Sequence, residues 1–129
     1  MPSGMEKQGE INPEFVRQVV SNISDLEVYL LEERKQHILE SHPEAQELLF
    51  FLPDLLESPD FTQRNSRPHT VRFYKFYCEL VVGDRTLRNK YLMCPVRFNV
   101  NLPAGYKNSI ITFYLLRKPM EGEIIWQKS

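Results

Sequence analysis

An α+β domain is predicted, with N-terminal helices packed on a C-terminal antiparallel sheet of about four strands. Three observations lead there. Three stretches, residues 13–24, 32–41 and 44–52, carry helix formers or apolar positions at helical spacing, residues 57–69 form a polar connection with two prolines, and from Val71 onward β-branched and aromatic residues alternate. Helices first and strands afterwards are the pattern of an α+β fold. A chain of 129 residues suits one domain. Residues 1–12 are expected to be a flexible N-terminus or a vector-derived remnant, and residues 13–129 the domain.

Each element has a local reason. Asn12 is a candidate N-cap, Pro13 fits a first helical position, and Phe15, Val19 and Ile23 share one face, so a short helix is predicted over residues 13–24. Ser24 and Asp25 then punctuate, and Leu26 to Leu31 alternates enough for a short strand. Glu32 to Ser41 reads as a helix, stopped by Pro43 or followed by a new one, because the residue before a proline is pushed out of the helical region. Ala45, Leu48, Leu49 and Leu52 give a further amphipathic helix that Pro53 kinks or ends. Strands are expected from Val71 to Cys78, Asn89 to Asn101, Ser109 to Leu116 and Glu123 to Gln127. Gly83-Asp84 and Leu102-Pro103-Ala104-Gly105 are the turn candidates, and Pro95 calls for an edge or bulged position.

Charge is divided along the chain. Residues 1–63 hold four basic and thirteen acidic side chains, whereas residues 64–129 hold twelve basic and four acidic, so a net charge of −1 conceals a strong asymmetry. Either an anionic ligand on the C-terminal half or internal cancellation of helix against sheet accounts for it. No apolar run reaches the roughly 18 residues that span a bilayer. The polar N-terminus lacks the apolar core of a signal peptide, so a cytoplasmic protein without membrane contact is expected. Cys78 and Cys94 lack CxxC spacing and are expected as buried thiols. With the histidines they do not make a four-ligand cluster, so neither metal nor cofactor is expected.

Two of the three histidines stand five residues apart in Arg34-Lys35-Gln36-His37-Ile38-Leu39-Glu40-Ser41-His42-Pro43-Glu44. Imidazole is the side chain whose ordinary pKa lies near neutrality. On a continuous helix the two rings would stand roughly 140° apart around the axis. If Pro43 closes the helix, His42 escapes that constraint. His42-Pro43-Glu44 also has a purely structural reading as a helix junction, and His69 reads as a solvated loop residue.

The order of several motifs carries a resemblance. His37-Ile38-Leu39-Glu40-Ser41-His42-Pro43-Glu44, Ser58-Pro59-Asp60, Phe73-Tyr74-Lys75, Ile111-Thr112-Phe113-Tyr114 and Gly122-Glu123-Ile124-Ile125-Trp126 together resemble the phage-associated branch of the barnase–EndoU–colicin–RelE-like nuclease fold group. The resemblance spans roughly Leu26 to Trp126. It implies a helical pair on an antiparallel sheet and a metal-independent endoribonuclease, often in toxins or mobile elements, with RNA as substrate and an antitoxin or immunity protein as partner. Two departures stand out: Phe113 is bulkier than the alanine usual between the threonine and tyrosine, and Arg117-Lys118-Pro119 replaces a pair of arginines.

Metal-free RNA cleavage needs a base for the 2′-hydroxyl, an acid for the leaving 5′-oxygen, and cations around the phosphorane. His37 and His42 are the candidate base and acid, with Lys75 and Thr112 completing the catalytic set. Arg72, Tyr74, Arg97, Tyr114 and Arg117 are the candidate substrate-binding residues. Alternation puts Arg72, Tyr74 and Phe76 on one face of their strand and Phe73, Lys75 and Tyr77 on the other. A non-catalytic module that binds RNA or protein on the same fold remains the alternative, and acidic helices pairing with basic sheets between copies is a third.

Overall fold

The computed structural model describes residues 4–23, 25–102 and 105–129. The elements in chain order are β1 (Met5–Glu10), a 3-10 turn (Pro13–Phe15), β2 (Glu27–Leu31), α1 (Glu32–Ser41), α2 (Ala45–Leu48), a second 3-10 turn (Leu49–Phe51), α3 (Leu52–Glu57), β3 (Phe61–Arg64), β4 (Thr70–Val82), β5 (Arg85–Leu102), β6 (Gly105–Ile110), β7 (Tyr114–Leu116) and β8 (Ile124–Gln127). Eight strands form one sheet in the order β1-β2-β6-β5-β4-β3-β8, with β7 paired to β5 beyond the end of β6. The β2–β6 pair is parallel and the other pairs are antiparallel.

This architecture corrects the expectation of N-terminal helices on a C-terminal antiparallel sheet of about four strands. The sheet is mixed, has twice that number of strands among the described residues, and draws strands from both halves of the chain. Met5–Glu10, expected to be flexible, is strand β1 against β2. Its sequence is polar because it lies at the sheet edge, with only Gln8 and Gly9 buried. The helix expected over 13–24 is a single 3-10 turn, although Asn12 does cap it, accepting from the Glu14 amide at 3.0 Å; Ser24 lies outside the described residues. The polar connection 57–69 contains β3, whose Thr62 and Gln63 are buried polar residues that carry no apolar signal. Of the two outcomes expected at Pro53, a kink or an end, the kink is found: α2 leads through a 3-10 turn into α3 with helical dihedrals at each junction, and Pro53 stands in the first turn of α3. Of the turn expected at 102–105, Pro103 and Ala104 lie outside the described residues, and Leu102 pairs with Gly105.

The core lies on one face of the sheet. Val71, Phe73, Leu92, Cys94 and Val96 point there, and Leu52, Leu55 and Leu56 of α3 cover them with no exposed surface. Complete burial of each such side chain contributes roughly 1.5–3 kcal/mol. The segment after β1 closes the far end: Phe15 packs on Trp126 at 4.3 Å between ring centres and edge-on to Phe73 at 6.3 Å. Thr62 Oγ1 donates to the Phe15 carbonyl and Gln18 to that of Ile125. Cys94 is buried as expected and its thiol is pushed up by burial; Cys78, expected to be buried, is exposed.

β6 and β7 are one strand interrupted by a bulge. Ile110 faces Val96 and Tyr114 faces Met93, so residues 111–113 stand opposite only Cys94 and Pro95. Pro95 has no N–H to give to the ladder, although its carbonyl accepts from the Ile111 amide at 2.9 Å. One extra residue opposite a missing donor is how a β-bulge arises, and Thr112 sits in its middle.

The charge asymmetry is partly cancelled inside the molecule. Lys75 meets Asp54 at 2.9 Å, Lys128 meets Asp60 at 3.0 Å and Lys107 meets Asp25 at 3.7 Å, each joining the basic half to the acidic half. No helix is long and apolar enough to cross a membrane among the described residues.

Candidate functional site

The site is built where β2 turns into α1. β2 and β6 run parallel, so their C-terminal ends emerge together beside the first turns of α1 and the bulge that follows β6. α1 carries Arg34 and His37 on its exposed surface and buries Ile38. Pro43 ends the helix, and His42 becomes its C-cap with φ −138° and ψ 78°, its amide donating to the Ile38 carbonyl at 2.8 Å. Released from helical geometry, His42 lines the same groove as His37 despite the five-residue spacing.

That groove, about 250 Å³, is walled by Arg34, His37, His42 and Ser41 from α1 and its cap, and by Ile111 and Thr112 from the bulge. Next to it, His42 and Tyr114 border a wider hollow of about 580 Å³ floored by Ala45, Leu48 and Phe113. The Glu44 carboxylate lies 3.4 Å from His42 Nδ1, which leaves the other ring nitrogen for a ligand. His37 has no side-chain hydrogen bond among the described residues. Beyond Arg34 on the other side, Arg34, Arg67 and Arg97 line a third hollow with Ser109.

The candidate residues therefore divide. His37, His42 and Thr112 come together, Tyr114 borders the adjoining hollow, and Arg97 reaches the edge of the site through Arg34. Lys75 does not join them. Its amine lies on the helix-covered face, 2.9 Å from both the Asp54 carboxylate and the Ser58 carbonyl, where it fastens the end of α3 to β4. A cation at the last carbonyls of a helix is stabilising there.

Arg72 and Tyr74 occupy the opposite face and are buried. Arg72 donates to Gln63 Oε1 at 2.7 Å and to the Glu121 carbonyl at 3.3 Å. Tyr74 donates to the same Gln63 oxygen at 2.8 Å and accepts from the Met120 amide at 3.2 Å. Burial pushes the Tyr74 phenol up. These two candidate substrate-binding residues pin the β7–β8 connection across the sheet and line none of the three hollows. Arg117 is exposed just beyond β7 and lines none of the three hollows. His69 is exposed, with φ 55° at the entry to β4.

Two arginines that were not candidates line these hollows, Arg34 in both the groove and the third hollow and Arg67 in the third hollow alone. Arg34 has a sequence signal, since it precedes His37 by three positions and shares its helix face. Arg67 has none: it is a loop arginine between Ser66 and Pro68, and pairing of Thr70 with Arg97 brings its loop to the third hollow. No protein-family model, curated protein or solved structure matches the chain.

Proposed function

We propose that the protein is a metal-independent endoribonuclease of the barnase–EndoU–colicin–RelE-like type, acting on RNA in the cytoplasm. The observation that carries this reading is the groove that His37, His42, Thr112 and Arg34 line together. Two imidazoles, a hydroxyl and a guanidinium are the groups that phosphodiester transesterification requires.

One imidazole takes the proton of the 2′-hydroxyl as the 2′-oxygen bonds to phosphorus. The other, entering protonated, gives its proton to the departing 5′-oxygen as the P–O5′ bond breaks. The products are a 2′,3′-cyclic phosphate and a 5′-hydroxyl. Glu44 positions His42, Arg34 stabilises the charge that builds on the phosphorane, and Thr112 hydrogen-bonds a phosphate oxygen. A nuclease of this kind in a phage-associated or toxin context is held in check by a small inhibitory protein, which is the partner we assign to it.

A non-catalytic RNA- or protein-binding module is the second reading, favoured by the fact that no side chain among the described residues hydrogen-bonds His37. Purified protein incubated with RNA and EDTA between pH 5 and 8 separates the two. The enzyme yields 2′,3′-cyclic ends, and His37→Ala or His42→Ala lowers the rate by about 10²–10⁴-fold. Lys75→Ala, by contrast, keeps its cleavage rate per folded molecule. RNA bound but uncut across that range removes the enzymatic reading.

A further inference from the structure

Arg34, Arg67 and Arg97 line one hollow. Lys75, Lys107, Lys128 and Arg64 each face a carboxylate. No carboxylate lines this hollow, and none of its three arginines forms an ion pair among the described residues. Three separate elements supply them: α1, the β3–β4 loop and β5. Ser109, paired with Arg97 across β5 and β6, adds a hydroxyl at its floor. Like charges converging on one concavity repel, and an anion relieves that cost. Guanidinium forks match the oxygens of phosphate in pairs. A volume of about 140 Å³, several times the roughly 30 Å³ share of a water molecule, admits a phosphate with part of its hydration.

Arg34 and Ile111 also line the histidine groove, so the two hollows adjoin through these shared residues. We propose that the arginine hollow is a second phosphate subsite, which holds a neighbouring phosphodiester of the same single strand while the reacting one lies between His37 and His42. This rests on the nucleic-acid reading of the groove and extends it: the substrate is single-stranded RNA with at least two phosphodiesters, and dinucleotides fill only half of the site.

Binding of 2′-deoxy oligonucleotides tests the proposal without cleavage, because they lack the attacking hydroxyl. Fluorescence anisotropy on the full chain should show a trinucleotide binding about ten-fold more tightly than a dinucleotide. Arg67→Gln and Arg97→Gln should each abolish that advantage and leave dinucleotide affinity unchanged. On a longer strand each should reduce the slope of log affinity against log salt by about 0.7. Arg85→Gln, at the distant β4–β5 hairpin tip, should change nothing. Unaltered length dependence in both variants, equal losses in the Arg85 control, or displacement by inorganic phosphate that affects dinucleotide and trinucleotide alike would each overturn the subsite. If strands bind with this arginine dependence yet RNA stays uncut, the subsite stands and the nuclease reading fails. If RNA is cut while the variants bind like wild type, the reverse holds.

Discussion

Lys75 is expected to belong to the catalytic set, and its amine holds the Asp54 carboxylate and the Ser58 carbonyl. A lysine on the covered face of a strand must find a partner near the margin, and α3 provides one. The same carboxylate governs Tyr77, whose hydroxyl donates to Asp54 at 3.5 Å and whose ring packs edge-on to Phe51 at 5.8 Å. Burial first, and the Asp54 charge second, push the Tyr77 phenol up from 10.0 to about 12. A raised pKa means that the folded state holds the proton more tightly. The stability this confers is complete below the ordinary value and is lost as pH climbs through the folded one. Thermal melts from pH 8 to 11.5 should therefore show a smaller alkaline loss for Tyr77→Phe than for wild type; equal losses would show that Tyr77 is not among the groups responsible. His42 is the counterpart at the groove. Its proline neighbour, visible in sequence, frees it from the helix, but only the fold places it in one groove with Ile111 and Thr112 of the bulge.

Among the elements, α1 was legible to the residue, because Pro43 and the strong helix formers before it define its end locally. β3 was not, since its interior positions are Thr62 and Gln63, whose burial depends on partners more than forty positions away in sequence, Phe15 and Met120. The β4–β5 hairpin lies between these cases. Gly83 and Asp84 mark its turn in sequence, while its full reach, Thr70 with Arg97 to Val82 with Arg85, follows from unbroken register. Gly83 has φ 65°, and a Cβ there would press on the Glu47 carboxylate of α2. Gly83→Ala should cost about 1–2 kcal/mol from the left-handed backbone alone. Urea unfolding should report that loss as a lower midpoint with an unchanged slope. An unaltered midpoint would mean that the turn relaxes to another type.

Across the whole molecule, the N-terminal strand is what most alters the expected architecture. β1 pairs with β2 and rests on α3, with Gly9 close to Pro53, Leu56 and Glu57. Deleting residues 1–10 should lower the melting temperature by more than about 5 °C and expose the edge of β2 to association between copies; an unchanged melt would make β1 dispensable. Local features are legible along the chain: the ends of α1, the cap at Asn12, the hairpin turn, the aromatic and β-branched strands, and the crowding of acidic residues before basic ones. Those depend on neighbours a few positions apart. Only the tertiary structure decided that polar end segments join the sheet, that Arg72 and Tyr74 hold a connection in place, and that Arg34, Arg67 and Arg97 meet. Side chains from distant positions converge only once strand order and register are fixed, and those follow from long-range pairing and burial, which no local periodicity encodes.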